Sequence, residues 1–130
     1  MAWYLDTSAA VKLVVAEQGS TGLRRWLAEP GRDVVSGDLL RTELLRTVRR
    51  GAPEQVGQAR AVLDAMPLLN LTPAVCERAG SLEPVVLRSL DALHLATALE
   101  LGDDLDGIVT YDERLGDAAR ILGYAVVAPQ

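Results

Sequence analysis

Four carboxylates in this sequence, Asp6, Glu43, Asp91 and Asp112, stand at positions from which they could act together. Asp6 follows the apolar run Ala2-Trp3-Tyr4-Leu5, and Asp112 follows Ile108-Val109-Thr110-Tyr111, so each lies just past a short strand-like segment. Glu43 shares a helical face with Leu40, Leu44 and Thr47 through i, i+3, i+4, i+7 spacing, which puts an acid on the apolar side of a helix. Asp91 falls in the first turn of another helix, along one side with Leu95 and Ala98. A first-turn acid gains about 0.3–1 kcal/mol from the helix N-terminus, enough to explain Asp91 alone and too little to gather four acids.

Two carboxylates about 4 Å apart repel by roughly 4 kcal/mol at an effective dielectric near 20. A cluster of this kind therefore needs a counter-charge. Lys12, the only lysine, is one candidate counter-charge, whereas Mg2+ or Mn2+ takes oxygen ligands from a few carboxylates and completes its shell with water. Such an ion orients and deprotonates water and stabilises a phosphodiester undergoing in-line displacement, so no side-chain nucleophile is required. The alternatives are poor. His94 is the only histidine and reads as a helix-packing residue with one satisfied nitrogen; Cys76, the only cysteine, reads as a small buried apolar thiol; Ser8 has no Ser-His-Asp neighbourhood. Thr7, Ser8 and Thr110 are hydroxyls suited to bonding carboxylates or metal-bound water.

Short apolar segments and amphipathic helices alternate along the chain, and these must position the acids. Strands are expected at 2–5, 34–36, 68–71, 108–110 and 125–127. Helices are expected at 9–16, 20–28, 39–50 after Asp38, 53–66, a short one after Thr72-Pro73, 89–101, and one after the 108–110 strand that runs to Leu122. No tight hairpin signal separates the strands. The pattern predicts a three-layer α/β/α domain with a central parallel sheet, residues 1–130 forming one unit. In open sheets of this type the ligand crevice lies beyond the C-terminal strand ends, where Asp6 and Asp112 fall.

With 49% hydrophobic and 24% charged residues in 130, the composition is that of a folded soluble domain. A net charge of −5 argues against holding nucleic acid by overall charge, so any such contact needs a local patch or a bound cation. The N-terminus shows no signal-peptide pattern and no stretch is long enough to span a membrane, which leads us to expect a cytoplasmic protein, in keeping with the single cysteine.

The set Leu5-Asp6-Thr7-Ser8-Ala9, Glu43 on a helix, Leu90-Asp91-Ala92-Leu93-His94-Leu95-Ala96-Thr97-Ala98, and Thr110-Tyr111-Asp112-Glu113-Arg114-Leu115 resembles a PIN-domain nuclease, more narrowly the VapC toxins of toxin–antitoxin modules. The resemblance covers nearly the whole chain. It implies a Mg2+- or Mn2+-dependent endoribonuclease acting on structured RNA such as tRNA or rRNA, commonly a homodimer inhibited by a cognate VapB antitoxin. By motif position it implies that Asp6, Glu43 and Asp91 hold the metal and that Asp112 is the fourth acid, ahead of Glu113, Asp117 and Asp106. Thr110 and Ser8 match the family's hydroxyls.

Other residues admit two readings. Arg46, Arg49 and Arg50 either grip RNA phosphates or complement a helix C-terminus, and Lys12 either approaches the acids or a phosphate or lies along the surface. Trp3 and Trp26 suit the core or a partner better than base stacking. Two rival functions remain: a receiver- or phosphatase-like phosphoryl-transfer domain, which accounts for fewer of the acids, and a catalytically silent PIN-like interaction domain, against which the full acid set argues.

Overall fold

The computed structural model describes residues Met1 to Gln130. Five strands, β1 (Ala2–Leu5), β2 (Val34–Gly37), β3 (Leu68–Leu69), β4 (Leu105–Val109) and β5 (Ala125–Val127), form one sheet in the order β3-β2-β1-β4-β5. Every pairing is parallel. The strand order reverses direction between β1 and β4. This switch point is where crossovers leave to opposite sides and open a crevice beyond the strand ends.

Seven α-helices connect the strands: α1 (Thr7–Ala10), α2 (Ser20–Ala28), α3 (Leu39–Gly51), α4 (Val56–Ala65), α5 (Pro73–Gly80), α6 (Ser89–Leu99) and α7 (Glu113–Ile121). Side-chain alternation along the strands splits the core in two. Leu5 and Val109 face one way, into a cluster with Ala9, Leu23, Leu40, Leu44, Val48 and Leu63 from α1 to α4. Tyr4 and Ile108 face the other way, onto Leu95, Ala98, Leu115 and Ala119 of α6 and α7. The expected α/β/α layering and parallel sheet are thus present. Trp3 and Trp26 meet edge to face at 5.1 Å beside the first cluster, as expected of core aromatics.

Local departures have local causes. The first helix starts at Thr7, not Ala9, because the Asp6 carboxylate accepts the Ala9 amide and caps it there, and it gives way to a 3-10 turn at Val11–Leu13. The helix expected from Pro53 opens as a 3-10 turn, Pro53–Gln55. β3 stops at Leu69, since only Leu68 and Leu69 pair with β2. Cys76 is exposed, contrary to expectation: α5 buries Val75 and Ala79, one turn apart, which turns the intervening thiol outward. No helix is long and apolar enough to cross a membrane.

Candidate active site

The β1–β4 register pairs Leu5 with Val109, and one step further brings Asp6 opposite Thr110. Asp6 is 3% exposed, and its carboxylate is held by three donors. Oδ2 accepts the Thr110 hydroxyl at 2.5 Å, while Oδ1 accepts the Ser8 hydroxyl at 2.7 Å and the Ala9 amide at 3.0 Å. The hydroxyls are fixed in turn: Ser8 Oγ accepts the Tyr111 amide at 2.9 Å and Thr110 Oγ1 accepts the Asp112 amide at 3.0 Å. One lone-pair direction on Oδ2 stays open for a further partner. Burial raises the Asp6 pKa despite the Thr110 and Ser8 hydrogen bonds.

Glu43 reaches the same edge from α3. Its Oε1 accepts Thr7 Oγ1 at 2.6 Å and lies 2.5 Å from His94 Nε2. The other ring nitrogen of His94, Nδ1, is 2.8 Å from the Tyr4 hydroxyl. Burial pushes the Glu43 pKa up, but the hydrogen bonds from His94 and Thr7, with the charge of His94, outweigh it and hold it low. His94 is therefore more than packing. It is 3% exposed and both nitrogens are engaged, one of them on a site carboxylate.

Asp91 opens α6 and Asp112 caps α7, its Oδ1 accepting the Leu115 amide at 3.0 Å. Asp91 has its pKa raised by burial first, and then by the negative charges of Asp112, Asp6 and Glu43. Only His94 opposes them. The four acids thus share one electrostatic environment, at the N-terminal ends of α1, α6 and α7 and within the second turn of α3.

Lys12 does not supply the missing cation. Its ammonium bonds Gln18 O at 2.6 Å and Glu17 at 3.2 Å, and lies 4.5 Å above the Tyr111 ring. Arg46, Arg49 and Arg50 line a separate recess of about 230 Å3 on α3. By the rise of a helix they stand about 4.5, 9 and 10.5 Å beyond Glu43 along its axis.

The donor set suits a hard divalent ion: oxygen ligands only, one of them deeply buried and oriented, with three acidic neighbours acting on Asp91 against His94 alone. No three His, Cys, Asp or Glu side chains converge closely enough to enclose an ion by themselves. Mg2+ completes its shell with water and is commonly held by one or two carboxylates, so a closed protein cage is not required for it.

A family model described as "PIN domain" matches residues 3–121. The chain belongs to the PIN-domain family. It is 42% identical to ribonuclease VapC47 of Mycobacterium tuberculosis over 97% of this chain and 96% of that one, and 45% identical to ribonuclease VapC46 of the same species with the same coverage. These relatives place it in the VapC group of the family. The crystal structure of M. tuberculosis VapC20, described as a Sarcin-Ricin loop cleaving toxin, superposes with a TM-score of 0.78 at 18% identity, covering 98% of this chain and 100% of that one. That of VapBC2 from Rickettsia felis, bound to a DNA fragment from their promoter, gives 0.68 at 15% identity, covering 100% of both chains. At such identities the two likenesses speak to the fold, which this PIN domain shares with them.

Proposed function

We propose that this VapC-type endoribonuclease is the toxin of a toxin–antitoxin pair and hydrolyses RNA phosphodiester bonds with Mg2+ or Mn2+ held by Asp6, Glu43, Asp91 and Asp112. The observation that carries the reading is a cluster of acids at the sheet's switch point, in which Asp112, Asp6 and Glu43 raise the Asp91 pKa and His94 alone opposes them. Family membership supplies the nuclease class.

A divalent ion held there would lower the pKa of a bound water and offset charge on the phosphodiester. Asp6, clamped by Thr110, Ser8 and the Ala9 amide, presents one oxygen direction toward the crevice. Thr7 and His94 aim Glu43 from the opposite wall. Asp112 keeps Oδ2 clear of its capping bond, free to ligate directly or through water. Arg46, Arg49 and Arg50 grip RNA beyond Glu43, at a distance from the cut. A VapB-type antitoxin restrains the enzyme, as the VapBC2 complex suggests. The functional unit is a homodimer acting on structured RNA, tRNA or rRNA.

Digestion of total cellular RNA by the purified protein, with and without Mg2+ or Mn2+, tests this directly. Cleavage is expected only with metal, and it should fall by at least 100-fold in Asp6→Asn and Asp91→Asn, about the effect of losing one oriented group that stabilises transition-state charge. RNA left intact by antitoxin-free protein under every metal condition rejects the nuclease reading.

A further inference from the structure

Six of the 13 basic side chains are engaged within the fold. Lys12, Arg32, Arg41, Arg78 and Arg120 each pair with a nearby carboxylate, and Arg24 bonds the Leu13 carbonyl. Arg88 and Arg114 enter none of these ion pairs. Both are exposed, and both line a recess of about 310 Å3 whose remaining walls are Asp112 and Glu113, with no apolar residue in it.

Their position follows from the topology. α6 precedes β4 and α7 follows it, so in a parallel sheet the start of each helix lies at the C-terminal strand edge. Arg88 immediately precedes α6, three residues before Asp91, and Arg114 is the second residue of α7, two after Asp112. The Arg88 carbonyl accepts the Ala92 amide at 2.8 Å, which fixes the backbone from which its side chain springs. The α3 arginines lead away from the acids; Arg88 and Arg114 stand beside them.

A chain of net charge −5 that brings acids to a polyanion must offset repulsion locally. Two guanidinium forks facing one polar recess match the oxygens of a phosphodiester, which they can engage bidentately. We propose that Arg88 and Arg114 form a phosphate clamp, holding an RNA backbone phosphate next to the scissile one on the α6–α7 side of the site. This rests on the nuclease reading above. It gives the bound strand a path: across the C-terminal edge of the sheet, from the α3 arginines on one face, over the acids, to the clamp on the other.

The test is RNA binding in the cleavage-silenced Asp6→Asn protein, by fluorescence anisotropy with a single-stranded oligonucleotide in Mg2+ over a range of salt. Adding Arg88→Gln and Arg114→Gln together should weaken binding at least tenfold. The slope of log affinity against log salt should become shallower by about 0.7, the value for one phosphate contact on a single strand. With Asp6 restored, the loss should fall on KM rather than kcat, while Mn2+ affinity measured by calorimetry holds. Arg88→Lys with Arg114→Lys keeps the charge without the fork, so it should keep the slope and lose part of the affinity. Unchanged affinity and slope in the double Gln variant overturn the clamp, as does a parallel fall in Mn2+ affinity, which would make the arginines organisers of the acids. Intact RNA binding combined with escape from antitoxin inhibition would assign the pair to an acidic peptide and likewise overturn it. Protein with both arginines intact that neither binds nor cuts RNA overturns the nuclease reading together with the clamp.

Discussion

At the scale of single residues the site depends on groups that hold the acids in place. His94 lies between the Tyr4 hydroxyl and Glu43, and Thr7 adds a third contact, so Glu43 is aimed by a buried chain of hydrogen bonds and not by its helix alone. Partners of this kind, one bond removed from a metal, typically change metal affinity or activity 10–100-fold when removed. His94→Gln should therefore weaken Mn2+ binding by calorimetry by about that factor. Tyr4→Phe, which frees the far nitrogen of His94 and leaves its contact with Glu43, should weaken it less. Equal affinity in His94→Gln and the parent would reduce the histidine to a packing residue. The sequence hides this role: Tyr4, Glu43 and His94 are separated by dozens of residues, and a single histidine inside an apolar helix reads as core. Asp6 was legible because strand ends leave a local signature, the halt of an apolar run at a capping residue.

Between elements, α6 has to lie close enough to the sheet for Asp91 and His94 to reach the switch point. Gly37, the last residue of β2, makes that approach possible. A methyl group built on it would stand 2.9 Å from both Thr97 Cγ2 of α6 and the Tyr4 hydroxyl. Gly37→Ala should cost about 1–3 kcal/mol, the usual penalty for overpacking, read as a lower urea midpoint. It should also reduce Mn2+ affinity, because relief requires α6 or Tyr4 to shift and both carry His94. A variant as stable as the parent would show that α6 has slack. Helix and strand order was readable from apolar periodicity and caps such as Thr72, whose hydroxyl accepts the Val75 amide as its sequence context predicts. Boundaries were less so, since pairing decides them: the strand expected over 68–71 keeps only Leu68 and Leu69, the two residues to which β2 offers partners. The clamp arginines leave no local signature in the sequence for a related reason. Arg46, Arg49 and Arg50 are adjacent in sequence, whereas Arg88 and Arg114 meet only when α6 and α7 start at the same sheet edge.

For the molecule as a whole, the acid cluster ties stability to both pH and metal. In the metal-free fold Asp6 and Asp91 have pKa values raised above 3.8, Asp6 by burial, Asp91 by burial and then by its acidic neighbours. A carboxyl raised in the folded state favours the protonated fold. Its contribution is complete below the unfolded value and is lost as pH rises through the folded one. Glu43, lowered from 4.5, works the other way: its contribution is present above that value and lost as pH falls through the folded one. Asp6 and Asp91 should therefore destabilise the metal-free protein as pH climbs through their folded values, with Glu43 acting in the opposite sense at lower pH. A divalent ion reverses the sign, because its ligands must be ionised and binding displaces their protons. At 100 times its dissociation constant it stabilises by about 2.7 kcal/mol, which is of order 10 °C in Tm for a domain of this size. Thermal melts in EDTA and in fixed Mn2+ at pH 5 and pH 7 should then show a metal-induced rise in Tm that is larger at pH 7. An equal rise at the two pH values would mean that the ion binds away from Asp6 and Asp91, and the absence of any rise would mean that their charge is relieved in some other way.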